Sequence, residues 1–241
     1  MTLTRTLLSA GTLAASAALA AEASEKRVVM DVGAVSALHD RGEQIGRETL
    51  ELTVGAEFET EYVTFYGAFY RLLPVGAEQA AFEDEADYTI GAAWERDSYS
   101  ADVSANWLTY PGEDAEASLE LAASITLAAP LAPTLTGFYD VDFEDWGVEL
   151  EAGPEWEAGD WTVYALARAG FVKPGDGGDS RTYGGIEIGA ERPVSEFAAF
   201  GAFARFDAAN EDSFARRIEN GDITSFRNSG LSVGIRLSVT P

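Results

Sequence analysis

Residues 146–156 read Trp-Gly-Val-Glu-Leu-Glu-Ala-Gly-Pro-Glu-Trp. Every even position (Trp146, Val148, Leu150, Ala152, Pro154, Trp156) is apolar, and Glu149, Glu151 and Glu155 lie between them. Side chains alternate across a strand, so one face of this segment is hydrocarbon bounded by Trp at both ends and the other is anionic. Roughly ten residues at ~3.3 Å each, tilted ~40°, rise roughly 25 Å, the height of the apolar band on an outer-membrane barrel. The segment predicts a wall with lipid on one side and water on the other.

The same period-two alternation recurs along the chain in about twelve segments bounded by Gly, Pro, Asn, Asp or Ser, from 27–38, 47–58 and 61–73 to 229–240. None carries a helical period. Connections after the even-numbered segments are short, and most of the others are longer and more polar, as at 74–86, 173–180 and 208–228. The link at 143–145 is the exception. Short inner turns, longer outer loops and an even strand number predict an all-β fold, a single antiparallel up-and-down transmembrane β-barrel of about twelve strands. A secreted β-sandwich, which would turn the apolar stripe inward, is the competing fold.

The first residues suggest how such a chain reaches a membrane. Arg5 is followed by an Ala/Leu-rich run ending in Ala18-Leu19-Ala20, an A-x-A site, so residues 1–21 are expected to be a cleaved signal peptide and 22–241 the barrel. A retained N-terminal anchor is the alternative. The expected location is the outer membrane of a Gram-negative bacterium, reached by the general secretory route. Among the 241 residues there is no cysteine, which excludes disulfides, thiolate metal sites and lipid attachment at that junction. With 41 acidic against 16 basic residues the net charge is −25, which excludes nucleic acid as a partner and favours cations.

Charge placement fixes which face meets lipid, because Arg or Lys at mid-bilayer costs about 2–4 kcal/mol. The lipid-facing sets include Leu50/Leu52/Val54, Tyr88/Ile90/Trp94, Tyr99/Val103/Trp107, Trp161/Val163/Phe171 and Leu231/Val233/Ile235/Leu237/Val239. Trp94, Tyr99, Trp107, Trp146, Trp156 and Trp161 are expected to form membrane girdles. On segment 61–73 both Val63/Phe65/Phe69 and Tyr62/Tyr66/Tyr70 could face outward, and the Tyr set is assigned inward.

The opposite face gathers the expected lumen acids Glu51, Asp102, Glu120, Asp140, Glu149, Glu151, Glu155 and Glu187, with Asp31, Glu57, Asp87, Glu95, Asp142 and Glu191 beside them. Arg168 and Arg236, and a candidate Arg205, are the expected lumen bases. So many carboxylates against so few bases point to a wet interior, since an unpaired buried charge costs several kcal/mol. Rings of acids in a water-filled passage select cations. The expectation is a porin-like channel for small hydrophilic solutes or cations. A twelve-strand barrel is narrow, however, and Tyr164, Leu166 and Phe138 could plug it, leaving a structural or surface-interaction barrel as the alternative.

Enzymatic chemistry is not expected. The only histidine, His39, falls in the first loop beside Asp40 and Ser36, which is no triad geometry. Glu149 and Glu151 are about 7 Å apart on one face, a separation glycosidases also use, but any acidic lumen produces such pairs. The Gly/Asp-rich stretch 175–179 lacks the spacing of a calcium loop. No cofactor or metal is expected.

Two stretches carry a family resemblance: Ser-Ala-Leu-His-Asp-Arg-Gly at 36–42, and Trp-Leu-Thr-Tyr-Pro-Gly at 107–112 followed by Glu116 and Leu119-Glu120. Together they resemble the TorF-like porin family, with Ser36, Arg41, Gly42, Tyr110, Pro111 and Gly112 matching, whereas Leu38 and Asp40 stand where that family has aromatics. The resemblance implies an outer-membrane barrel of unspecified solute and supplies no catalytic residues. Pro111-Gly112 also has a local reading as a turn. Near the end, Gly234, Leu237 and Val239 resemble the signal read by the barrel-assembly machinery, an expected partner, although Thr240-Pro241 replace its terminal aromatic.

Overall fold

The structure, a computed structural model, describes residues 8–9, 12–13, 26–82, 84–111 and 117–240. Twelve strands form the wall. They are β1 (Lys26–Asp40), β2 (Glu43–Glu59), β3 (Thr64–Pro74), β4 (Glu85–Arg96), β5 (Tyr99–Thr109) and β6 (Ala117–Leu127), then β7 (Thr134–Asp140), β8 (Trp146–Ala152), β9 (Trp161–Lys173), β10 (Arg181–Pro193), β11 (Ala198–Ala209) and β12 (Ser229–Val239). Each pairs antiparallel with its chain neighbour, and β12 closes on β1 with Gly234 opposite Val35 and Val239 opposite Met30. No edge is left open, as hydrocarbon requires of a spanning sheet. Between β8 and β9, Gly153-Pro154 interrupts the ladder, and Glu155–Ala158 resumes it in the same register, Glu155 opposite Tyr164.

The faces follow from the alternation. Leu231, Val233, Ile235 and Leu237 of β12 are 41–63% exposed, and Val148 and Leu150 of β8 are 42% and 51% exposed, so the apolar stripe is on the outside of the cylinder. A β-sandwich would have buried them, and that rival fold is excluded. Ten of the twelve strands have 11 residues or more, enough to cross the apolar core when tilted. Trp107 and Trp146 lie toward the loop end of the exterior, joined by Tyr88 packed on Phe69 and by Phe171 packed on Trp146. Trp94, Tyr99, Trp156 and Trp161 lie toward the other end, where Arg192 covers the Trp161 ring at 5.5 Å.

Several sequence expectations are corrected. β1 runs through His39 to Asp40 and β2 begins at Glu43, so the expected first loop is a two-residue turn, Arg41-Gly42. Both residues have positive φ (44° and 77°), the geometry of tight hairpin turns. Tyr62 falls in the β2–β3 turn and is 63% exposed, so only Tyr66 and Tyr70 of its set turn inward. β7 stops at Asp140 because that carboxylate accepts the Asp142 and Phe143 amides (2.9 Å each), which leaves Asp142 exposed in the loop. Glu95 is exposed at the short-turn end. The loop after β11 holds a hairpin of its own, Phe214–Glu219 with Asp222–Arg227, turning on Asn220-Gly221. The expected signal peptide lies outside the described residues, apart from Leu8–Ser9 paired with Thr12–Leu13, and Gly112 and Glu116 lie outside them too.

Candidate functional site

The inner wall is built from aromatic rings laid over glycines. Tyr66 faces Gly91, Phe138 faces Gly147, Tyr164 faces Gly189, Tyr183 faces Gly170 and Phe203 faces Gly234, each as direct cross-strand partners. A Cβ at any of these glycines would come within 2.2–2.6 Å of the ring opposite. The absent side chain lets each ring lie flat along the wall, and the phenols reach acids: Tyr66 donates to Asp102 (2.9 Å), Tyr164 to Glu187 (2.8 Å) and Tyr70 to Glu51 (2.8 Å). Of the rings expected from sequence to fill the lumen, Tyr66 and Tyr164 lie along the wall, whereas Phe138 joins the packing at the loop end.

The acids named from sequence come together on this inner face in different settings. Glu151 is buried opposite Arg168 on the next strand, whose guanidinium reaches Glu151 (3.7 Å) and Glu187 (3.3 Å). Arg236 stands 3.9 Å from Glu191. Glu120, 2% exposed, accepts both Arg41 Nη1 (2.5 Å) and Nη2 (3.0 Å) across the interior, and Asn106 donates to it at 3.4 Å. Glu149 is half-buried, Asp140 caps its own turn, and Glu155 sits exposed near the short-turn end. Buried oxygens without a hydrogen-bond partner include both of Asp31, Oδ1 of Asp87 and Oδ2 of Asp102.

The loop end of the interior is filled. The Arg41 guanidinium stacks 3.6 Å above the Phe138 ring, and Arg181 Nε donates to the Arg41 carbonyl (2.9 Å). Phe214 has no exposed surface and clusters with Phe138, Val172, Tyr183, Ala122 and Ala209. Its neighbour Ser213 is pinned to the β1–β2 turn by Gln44 N to Ser213 O (3.1 Å) and Ser213 Oγ to Gly42 O (2.5 Å). Beneath Phe214, His39 Nδ1 lies 3.0 Å from Asp207 Oδ2, which also takes Arg205 Nε at 2.6 Å. The Phe214 ring meets His39 edge-on at 5.0 Å.

Sequence reasoning missed this cluster. His39 and Asp207 are 168 residues apart, and only closure of β12 on β1 makes β11 and β1 near neighbours. The Asn-Gly pair at 220–221 was the one available sign of the hairpin that carries Phe214. Among the described residues no group of three or more His, Asp or Glu is arranged to hold a metal ion.

No family model matches the chain, so the TorF-like resemblance gains no support, and no curated protein matches it in sequence. Solved structures are similar in fold. The COG4313 outer membrane channel from Pseudomonas putida F1 is 9% identical at a TM-score of 0.49, covering 92% of this chain and 97% of that one. LpxR from Salmonella typhimurium is 8% identical at 0.50, covering 88% and 99%. The Salmonella typhi outer membrane phospholipase (OMPLA) dimer is 9% identical at 0.46, covering 89% of each. The expectation that the chain is no enzyme is corrected to an open question, because a shared barrel fold does not decide between a channel and an enzyme. His39, expected in a loop, is in a strand against Asp207. What the comparisons establish is the architecture: a closed outer-membrane-type β-barrel.

Proposed function

We propose that the protein is an outer-membrane channel that passes small hydrophilic solutes with a preference for cations, through an interior constricted at its loop end. The observation that carries this reading is the surplus of inner carboxylates over guanidinium groups, with Asp31, Asp87 and Asp102 each keeping a buried oxygen without a partner. Fixed charge of one sign in a confined passage calls for water or counter-cations and repels anions. The exposed apolar face and its two aromatic belts suit an outer-membrane location. Export by the secretory route and insertion by the barrel-assembly machinery complete the reading.

Planar-bilayer recording of the refolded barrel under a KCl gradient tests it. The expected result is discrete steps whose reversal potential is that of a cation-selective pore; anion-selective reversal would remove the reading. A second reading, a non-conducting surface barrel, is favoured by the packing of Phe214, Arg41 and Phe138 at the loop end. Deleting residues 213–227 separates the two: larger steps than wild type support a constricted channel, and continued silence supports the surface barrel.

A further inference from the structure

Between β1, β2, β3, β11 and β12 the wall borders a cavity of about 70 Å³, lined by Asp31, Glu51, Tyr70, Phe203, Val35 and Arg236. We propose that this cavity binds a small organic ammonium ion, which deepens the cation-channel reading and rests on it. Asp31 is 4% exposed, lines the cavity, and neither of its oxygens has a hydrogen-bond partner. The hydroxyl of its cross-strand neighbour Ser238 is the nearest neutral donor, and it leaves both oxygens short of a full hydrogen bond. A carboxylate buried to that degree without a partner calls for a donor from outside the chain.

Arg236 attracts Asp31 across the cavity, yet its Nε and both Asp31 oxygens are buried without a completed hydrogen bond. Arg205 is engaged by Asp207 (2.6 Å), and Arg236 pairs with Glu191 at 3.9 Å. Glu51 accepts the Tyr70 hydroxyl through Oε1 (2.8 Å), while its Oε2 lies 3.4 Å from where a Cβ on Gly33 would stand. Gly33 thus leaves the floor between Asp31 and Glu51 free of a side chain. Val35 and Phe203 supply an apolar wall on the same cavity.

The chemistry favours an alkylammonium over a metal ion. Ca²⁺ takes six to eight oxygen ligands and Mg²⁺ a near-ideal octahedron, and among the described residues no such ligand group exists. An ammonium needs only one or two carboxylate acceptors, to which it donates charge-assisted hydrogen bonds, and its carbon substituent would rest on Val35 and Phe203. At ~10–15 Å³ per water the cavity has room for on the order of five waters, or one solute of a few heavy atoms.

Calorimetric titration of the refolded full-length barrel in detergent, with methylammonium chloride against sodium chloride at matched ionic strength, tests the site. The expected result is saturable one-to-one binding of methylammonium only, weakened at least tenfold by Asp31→Asn and unchanged by Glu219→Gln on the exposed hairpin. Glu51→Gln gives a second reading should Asp31→Asn fail to show heat-modifiable migration, and it too should weaken binding. No saturable heat, or full affinity in the folded variants, overturns the proposal. Tighter binding of glycine than of methylammonium also overturns it, in favour of a zwitterion held between Asp31 and Arg236. The titration needs no conduction, so a barrel that binds methylammonium but stays silent in bilayers keeps the site and loses the channel reading.

Discussion

Arg41→Ala should destabilise the barrel by about 3 kcal/mol, because it leaves Glu120 as an uncompensated buried carboxylate. Glu120 is 2% exposed and takes two hydrogen bonds from one guanidinium, at 2.5 and 3.0 Å. Removing one partner of a buried pair costs about 3–5 kcal/mol. The Arg41 side chain is 22% exposed, so water screens it in part and the lower end applies. Loss of its stacking on Phe138 adds about 0.5–1 kcal/mol. The double variant Arg41→Ala/Glu120→Gln removes the orphaned charge and should recover about half of the loss. Urea titration of the refolded barrel in lipid vesicles, followed by Trp fluorescence, gives both numbers. A single-variant loss under about 1 kcal/mol, or a double variant no more stable than Arg41→Ala, would refute the reasoning that the turn is anchored across the interior by this pair.

Other perturbations probe other parts of the structure. Gly170→Ala places a Cβ about 2.2 Å from the Tyr183 ring and should cost about 1–3 kcal/mol in the same titration, whereas Gly177→Ala, with nothing within 4 Å but a φ of 85°, should cost about 1 kcal/mol at most. Leu150→Arg puts a charge on the lipid-facing side and should lose about 2–4 kcal/mol, measured by vesicle refolding. Asp207→Asn removes the charge of the carboxylate beside His39 Nδ1, so the resonance of this single histidine should shift in a nitrogen-15 spectrum, while the distant Asp102→Asn should leave it in place.

The parts of this fold that were legible in the sequence are those governed by local periodicity. The alternation of 146–156 orients β8 correctly because side-chain direction depends only on the pleat, and Val148 and Leu150 face out as that rule demands. The interior was legible as a list of residue types but not as an arrangement. That Tyr183 lies over Gly170, or that Arg41 reaches Glu120 from 79 residues away, depends on register and closure across the cylinder. The Arg41-Gly42 turn was obscured by polar Asp40 and Glu43 on either side, which read as loop although β1 and β2 continue through them. Asp140 could not be told from a lumen acid, because a carboxylate at a strand end caps a turn or faces inward with the same sequence signature.

The central claim is that hydrocarbon meets the outside of this cylinder while its carboxylates face inward. Single spin labels placed in turn at 147–152 of the barrel in lipid bilayers, with relaxation by oxygen compared against a water-soluble nickel complex, test it most directly. Oxygen should dominate at 148 and 150 and the nickel complex should gain at 149 and 151. The reverse phase, or no alternation at all, would contradict the account.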